Sequence, residues 1–192
     1  MTFQRDVKVA EVKAEGSKAA LNINGVSNEF TTVNVAKDTE LTMNLNEKTV
    51  TTAVSGKEAT VILNDGTVKG SVLANKAELN TVTIDTLDAN DVTVTGKSEI
   101  VIAFKVDHDY TITGKDEATL KAELNVAKDT TANVEDIKLA GSVIGEGTLN
   151  TEGTVSVNNV AVGNANITGK FTSLNSVIAK ETLNINALSV AD

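Results

Sequence analysis

His108 is the only histidine of the 192-residue chain, and it stands between Asp107 and Asp109. An imidazole flanked by carboxylates can hold a metal or pass a proton, and any Ser-His-Asp or Cys-His nucleophilic arrangement would have to use this ring. Three points weigh against chemistry there. Adjacent residues of one loop rarely converge on a single ion, no Gly-x-Ser-x-Gly elbow is present, and Asp-rich loops between strands are ordinarily solvated turns. The carboxylates Asp85, Asp116, Glu117, Glu135 and Asp136 could serve a glycosidase or lyase, but such enzymes need two of them at a set separation and commonly aromatic platforms for the sugar rings. With four Phe, one Tyr and no Trp, the chain has almost none to offer. The expectation is a protein with no catalytic residues and no organic cofactor.

Calcium is the ligand for which donors are at hand. Asp65-Gly66, Asp88-Ala89-Asn90-Asp91, Asp107-His108-Asp109 and Asp116-Glu117 put carboxylate and amide oxygens into turns, and these are the ligands that calcium takes. None follows the EF-hand pattern or the Gly-Gly-x-Gly-x-Asp repeat of calcium-loaded solenoids. Asp88, Asp91, Asp107 and Asp109 are the candidates for a structural calcium ion. The absence of cysteine removes disulfides and thiolate metal sites.

The net charge of −9 sets up a field that repels nucleic-acid phosphates and anionic membranes, so neither is an expected partner. No run of about 18 apolar residues is present to cross a bilayer. The start, Met1-Thr2-Phe3-Gln4-Arg5-Asp6, lacks the apolar stretch of a signal peptide. An extracellular or cell-surface location therefore implies another export route or a longer precursor, and a cytoplasmic location is the alternative.

The elements that must position these residues follow from a repeat. Gly/Ala/Asn-Lys, or Gly-Ser-Lys at Lys18, followed by a small or acidic residue recurs at Lys18, Lys37, Lys57, Lys76, Lys97 and Lys115, in steps of 19, 20, 19, 21 and 18 residues. Lys170 follows after 55 more, with Val134 and Gly153 near the intermediate positions. After the turns, apolar residues alternate: Leu21 and Ile23; Leu41, Met43 and Leu45; Val61 and Leu63; Ile100 and Ile102; Ile137 and Leu139; Val155 and Val157. Period two is the strand signal, and the Val- and Thr-rich composition agrees with it. Proline, which removes a ladder donor, is absent.

A unit of about nineteen residues cannot bury its own apolar face, whereas stacked units form a continuous core. The predicted fold is all-β, a parallel β-helix with coils of about 19 residues, in which residues 16–192 form the solenoid and residues 1–15 an N-terminal strand or cap. Eight or nine coils spaced about 4.8 Å apart would place like residues in ladders. Among the Asn residues, Asn22, Asn64, Asn90, Asn158 and Asn164 are candidates for turns or amide ladders, and the recurrent lysines would stack along one edge. Thr93/Thr95 and Thr111/Thr113 suggest the start of a flat threonine array, but Ser55 and Thr168 lack the partner threonine that would continue it. A rival reading comes from the hexapeptide Asn34-Val35-Ala36-Lys37-Asp38-Thr39, which returns unchanged as Asn125 to Thr130, 91 residues on. That offset suits two tandem immunoglobulin-like β-sandwiches, 1–90 and 91–192.

In its lack of Cys and Pro, its acidic balance and its Val, Thr, Asn and Ala strands joined by Gly-Lys turns, the chain resembles the repetitive regions of bacterial surface-layer and adhesin-type proteins. The resemblance implies a structural role: self-association into a coat or fibre, often assisted by calcium, or attachment to a glycan or host surface. The chain carries no surface-layer-homology anchor and no Leu-Pro-x-Thr-Gly sorting signal. A second resemblance, through Asp65-Gly66-Thr67-Val68-Lys69-Gly70-Ser71-Val72, is to bactofilins, cytoplasmic β-helical filament formers, although their regular glycine spacing is mostly absent. The expected partner is a further copy of the chain in a homo-oligomer or larger assembly, with a glycan as the alternative.

Overall fold

The computed structural model describes residues 1–104, 107–172 and 175–190. Its strands are β1 (Thr2–Phe3), β2 (Val7–Ala14), β3 (Lys18–Ile23), β4 (Ser27–Val35), β5 (Glu40–Phe104), β6 (Tyr110–Lys121), β7 (Leu124–Val126), β8 (Thr131–Glu135), β9 (Lys138–Gly145), β10 (Thr148–Glu152), β11 (Thr154–Thr172) and β12 (Ser176–Val190). Each pairing between them is parallel, as in β1 with β3, β6 with β8 and β11 with β12. The chain is a β-solenoid of about nine turns set about 20 residues apart. Parallel pairing throughout rules out the tandem sandwiches, whose sheets are antiparallel. Residues 1–15 carry β1 and β2, which pair with β3 and β4 as the first coil.

The interior is built from the alternation read in the sequence. Leu21, Ile23, Leu41, Met43, Leu45, Val61, Leu63, Ile100, Ile137, Leu139, Val155 and Val157 all point inward and are buried. Ile102 departs from the pattern and lies 71% exposed beside exposed Val101. Further along, inward positions form columns. Leu149 lies in register between Ala132 and Ala165, and Leu183 lies over Ala165. The column alternates small and large, so each Leu fills space that its Ala neighbours leave. Full burial of such a Leu contributes about 1.5–3 kcal/mol.

The stacking interval is not constant. It is 20 residues from Thr2 to Asn22, 22 from Lys18 to Glu40, 15 from Asn75 to Asn90, 22 from Thr111 to Asn133, and 17, 16 and 18 along Asn133, Asn150, Asn166 and Asn184. This variation breaks the expected lysine edge. Lys18 lies opposite Glu40, Lys97 opposite Thr119, and Lys115 opposite Thr95. Residues at near-constant sequence spacing drift around a coil whose perimeter changes. For the same reason Val134, placed by interpolation at a turn, is a core residue, whereas Gly153 does sit at a turn with φ +70°.

The repeated hexapeptide turns out to be a corner. In both copies the Asp adopts a left-handed backbone, φ 58° at Asp38 and 62° at Asp129. The following Thr amide donates to the Ala carbonyl three residues back, at 3.2 Å in each: Thr39 to Ala36 and Thr130 to Ala127. Asp tolerates that conformation better than most residues, so the sequence recurs where the chain needs the same bend. One glycine is held by packing of coil on coil. Gly145 has φ +137°, and a Cβ there would run into the Val126 carbonyl oxygen of the coil below.

Candidate functional site

The aspartates around His108 meet across coils. The loop 107–109 leads directly into β6, which starts at Tyr110. His108 Nε2 lies 3.1 Å from Asp88 Oδ1, twenty residues and one coil earlier, and Nδ1 lies 2.9 Å from the Asp109 carbonyl oxygen. Asp109 turns its carboxylate the other way, where Oδ1 accepts the Thr131 amide at 2.7 Å. Burial pulls His108 towards neutrality. The Asp109 carbonyl, the Asp88 carboxylate and the charge of Asp107 outweigh this and hold the ring's pKa above the ordinary histidine value.

Of the four calcium candidates, Asp88 is thus paired with His108 and Asp109 with a backbone amide, while Asp91 lies in register with Thr111 and Asp107 is exposed. Among the described residues no three His, Asp or Glu groups come together as a metal site. Asp136 repeats the role of Asp109: its Oδ1 accepts the Thr154 amide at 2.9 Å. Asp6 does the same for Ser27 at 2.9 Å. These three aspartates each fasten one coil to the next.

Of the carboxylates weighed for catalysis, Asp116, Glu117, Glu135 and Asp136 line two surface depressions, and Asp85 lines neither. A groove of about 930 Å³ runs along a corner past Asp116, Glu117, Asp136, Lys138, Ser156 and Asn158. Asp116 and Glu117, both left-handed, form a bulge at its edge. A smaller hollow of about 240 Å³ lies over Asn133, Asn150 and Asn166 beside Glu135 and Glu152. Those two glutamates are in register, so they repel one another. No aromatic ring lines either depression.

The most regular surface feature is the amide ladder beside that hollow. Asn150 Nδ2 donates to Asn133 Oδ1 at 2.9 Å, Asn166 to Asn150 at 2.9 Å, and Asn184 to Asn166 at 2.8 Å. A shorter ladder joins Asn22, Asn44 and Asn64. Asn22, Asn64 and Asn90 make amide bonds across coils as expected, whereas Asn164 bonds Glu181. The longest ladder escaped sequence reading because its intervals are shorter than nineteen. The signal was present in the recurring triplets of Ala or Leu, then Asn, then a β-branched residue at Ala132-Asn133-Val134, Leu149-Asn150-Thr151 and Ala165-Asn166-Ile167. Of the threonines, Thr93 stacks on Thr113, but Thr95 faces Lys115 and Thr111 faces Asp91, so no flat array forms.

The fold and surface define an all-β parallel solenoid, tied coil to coil by amides, aspartate caps and ion pairs. No protein-family model, no curated protein and no solved structure matches the chain.

Proposed function

We propose that the chain is a non-catalytic structural unit that associates with further copies of itself, end to end, in a cell-surface or extracellular assembly of the surface-layer or fibre kind. The observation that carries this reading is the last described coil. Leu183 and Ile185 continue the inward columns above buried Ala165 and Ile167, yet they are 43% and 60% exposed. Among the described residues β12 pairs only with β11, and a strand with an open parallel edge and an uncovered apolar column is suited to another coil of the same geometry. Ladder polarity supports a second copy as that coil. From Asn22 to Thr2 and from Asn184 to Asn166, the later amide donates to the earlier coil, so the two ends differ and complement one another head to tail.

A second reading, a glycan- or partner-binding adhesin module, draws on the 930 Å³ groove. The absence of aromatic lining favours self-association over it. A cytoplasmic filament of bactofilin type would use the same contacts and differs only in location. Sedimentation velocity across a wide concentration range is the test. The wild-type chain is expected to form concentration-dependent oligomers that Ile185→Asp disperses, and a monomer at every concentration overturns the reading.

A further inference from the structure

Both ring nitrogens of His108 face groups that only accept hydrogen bonds: the Asp109 carbonyl at 2.9 Å from Nδ1, and Asp88 Oδ1 at 3.1 Å from Nε2. A neutral imidazole carries one N–H, an imidazolium two. Both contacts are made together only when the ring holds both protons. The rest of the loop has the same requirement. Asp107 adds negative charge beside the ring, and the Asp109 carboxylate is committed to the Thr131 amide at 2.7 Å. Among the described residues the ring is the sole cationic group in ion-pair contact with Asp88, and none contacts Asp107 or Asp109.

We propose that Asp107–Asp109 is a proton-operated clasp across three successive coils. While His108 is charged, it holds Asp88 in the coil before, and the same loop, through Asp109, holds Thr131 in the coil after. When the ring loses a proton it keeps a single N–H, so only one of the two contacts can still be donated, and the charge attraction to Asp88 is gone; the loop's hold on the earlier coil weakens. The Asp109 cap on Thr131 then rests on a loop that is less firmly anchored on its other side. The clasp is independent of whether the chain assembles. It would make this stretch stiffest in mildly acidic surroundings and looser as the medium turns alkaline.

The direction follows from linkage. A histidine whose folded pKa lies above its unfolded value adds stability that is fully present below the unfolded value, near 6.5. That stability is lost as pH rises through the folded value. Because the ring is about one-third exposed, the effect is local and modest: a loss of roughly threefold in the protection of the Thr131 amide, the size typical of a partly exposed charged pair.

The sole histidine gives a single ring Cε1–H resonance, so its titration can be followed by NMR without ambiguity, alongside hydrogen exchange at Thr131. His108→Gln keeps a side-chain donor but no titration, and serves as the reference that removes the intrinsic pH dependence of exchange. The wild-type ring is expected to titrate above the ordinary histidine value and to fall back in Asp88→Asn. Thr131 protection relative to His108→Gln should decline across the wild-type titration. A ring titration unchanged by Asp88→Asn, or Thr131 exchange that matches His108→Gln at every pH, overturns the clasp.

Discussion

From Thr131 onwards a continuous ladder of neutral amides joins the coils, with the Asp136 cap and the Lys180–Glu146 pair beside it, whereas the stretch from Asp88 to Thr131 is joined chiefly by charge. In the later region, intervals of 17, 16 and 18 residues keep Asn133, Asn150, Asn166 and Asn184 in one line. In the earlier one the interval reaches 22, and the surplus residues leave the sheet as the 107–109 loop and the Asp116-Glu117 bulge. Loops without ladder partners are then secured by His108–Asp88, by Asp109 to the Thr131 amide and by Lys121–Glu99 at 2.7 Å. Coils whose lengths differ by no more than two residues let identical groups stack, as Asn22, Asn44 and Asn64 also do at intervals of 22 and 20, whereas the loop and the bulge are spanned by longer side chains and charge.

The largest effect that separates the regions should come from the interior. Leu149 has Ala132 below it and Ala165 above it, so Leu149→Ala would put three small residues in succession and leave a void that neither neighbour can fill. A loss of about 2–5 kcal/mol is expected, towards the upper end because the stacked backbones cannot close in. Urea denaturation measures it. A loss below about 1 kcal/mol would mean that the column relaxes, and that the later coils are less tightly packed than their register implies.

Asn150→Ala should come next. It removes the bond to Asn133 and leaves Asn166 Nδ2 without its acceptor, both in partly buried positions. A cost of about 1–3 kcal/mol follows. It should be insensitive to salt, because no net charge is involved. If the cost shrinks at high ionic strength, the ladder is not the neutral seam that sets this region apart, and the repulsion between Glu135 and Glu152 is the better explanation.

Much of the architecture is legible in the sequence, and the reasons are local. Period-two alternation marks inward strand residues whatever the coil length, so Leu21, Met43, Val61 and Val157 are placed correctly. Ile102 is the exception, because it falls where a coil departs from its predecessor ahead of the 107–109 loop. Long-range register is harder. A constant-period reading of the lysines averages over intervals of 15 to 22 residues and so misplaces them around the coil. The hexapeptide echo was ambiguous because a corner and a domain duplication leave the same mark in sequence; parallel pairing excludes the duplication, and the left-handed Asp38 and Asp129 show the corner. The aspartates near His108 were recognisable as a cluster. Their partners were not, since Asp88 meets His108 only through a coil of that particular length.

The smallest effect runs in the opposite direction and compares the two interiors. In the later region a polar side chain inside the core is satisfied: the hydroxyl of buried Thr151 donates to the Thr168 carbonyl at 3.4 Å. In the earlier one, Tyr110 is buried against Phe104, ring centroids 4.9 Å apart, and its hydroxyl has no hydrogen-bond partner among the described residues. Burial also pushes the Tyr110 pKa up, so the group stays neutral at any ordinary pH. A buried hydroxyl without a partner costs about 1–3 kcal/mol, while the ring's apolar burial and its edge-on contact with Phe104 survive removal of the oxygen. Tyr110→Phe should therefore raise the unfolding free energy by about 1 kcal/mol, read as a higher urea midpoint at unchanged slope. The corresponding change in the later region, Thr151→Val, gives up a bonded hydroxyl and should be neutral or slightly destabilising. If Tyr110→Phe lowers the midpoint instead, its hydroxyl is bonded, and the two interiors are equally well satisfied.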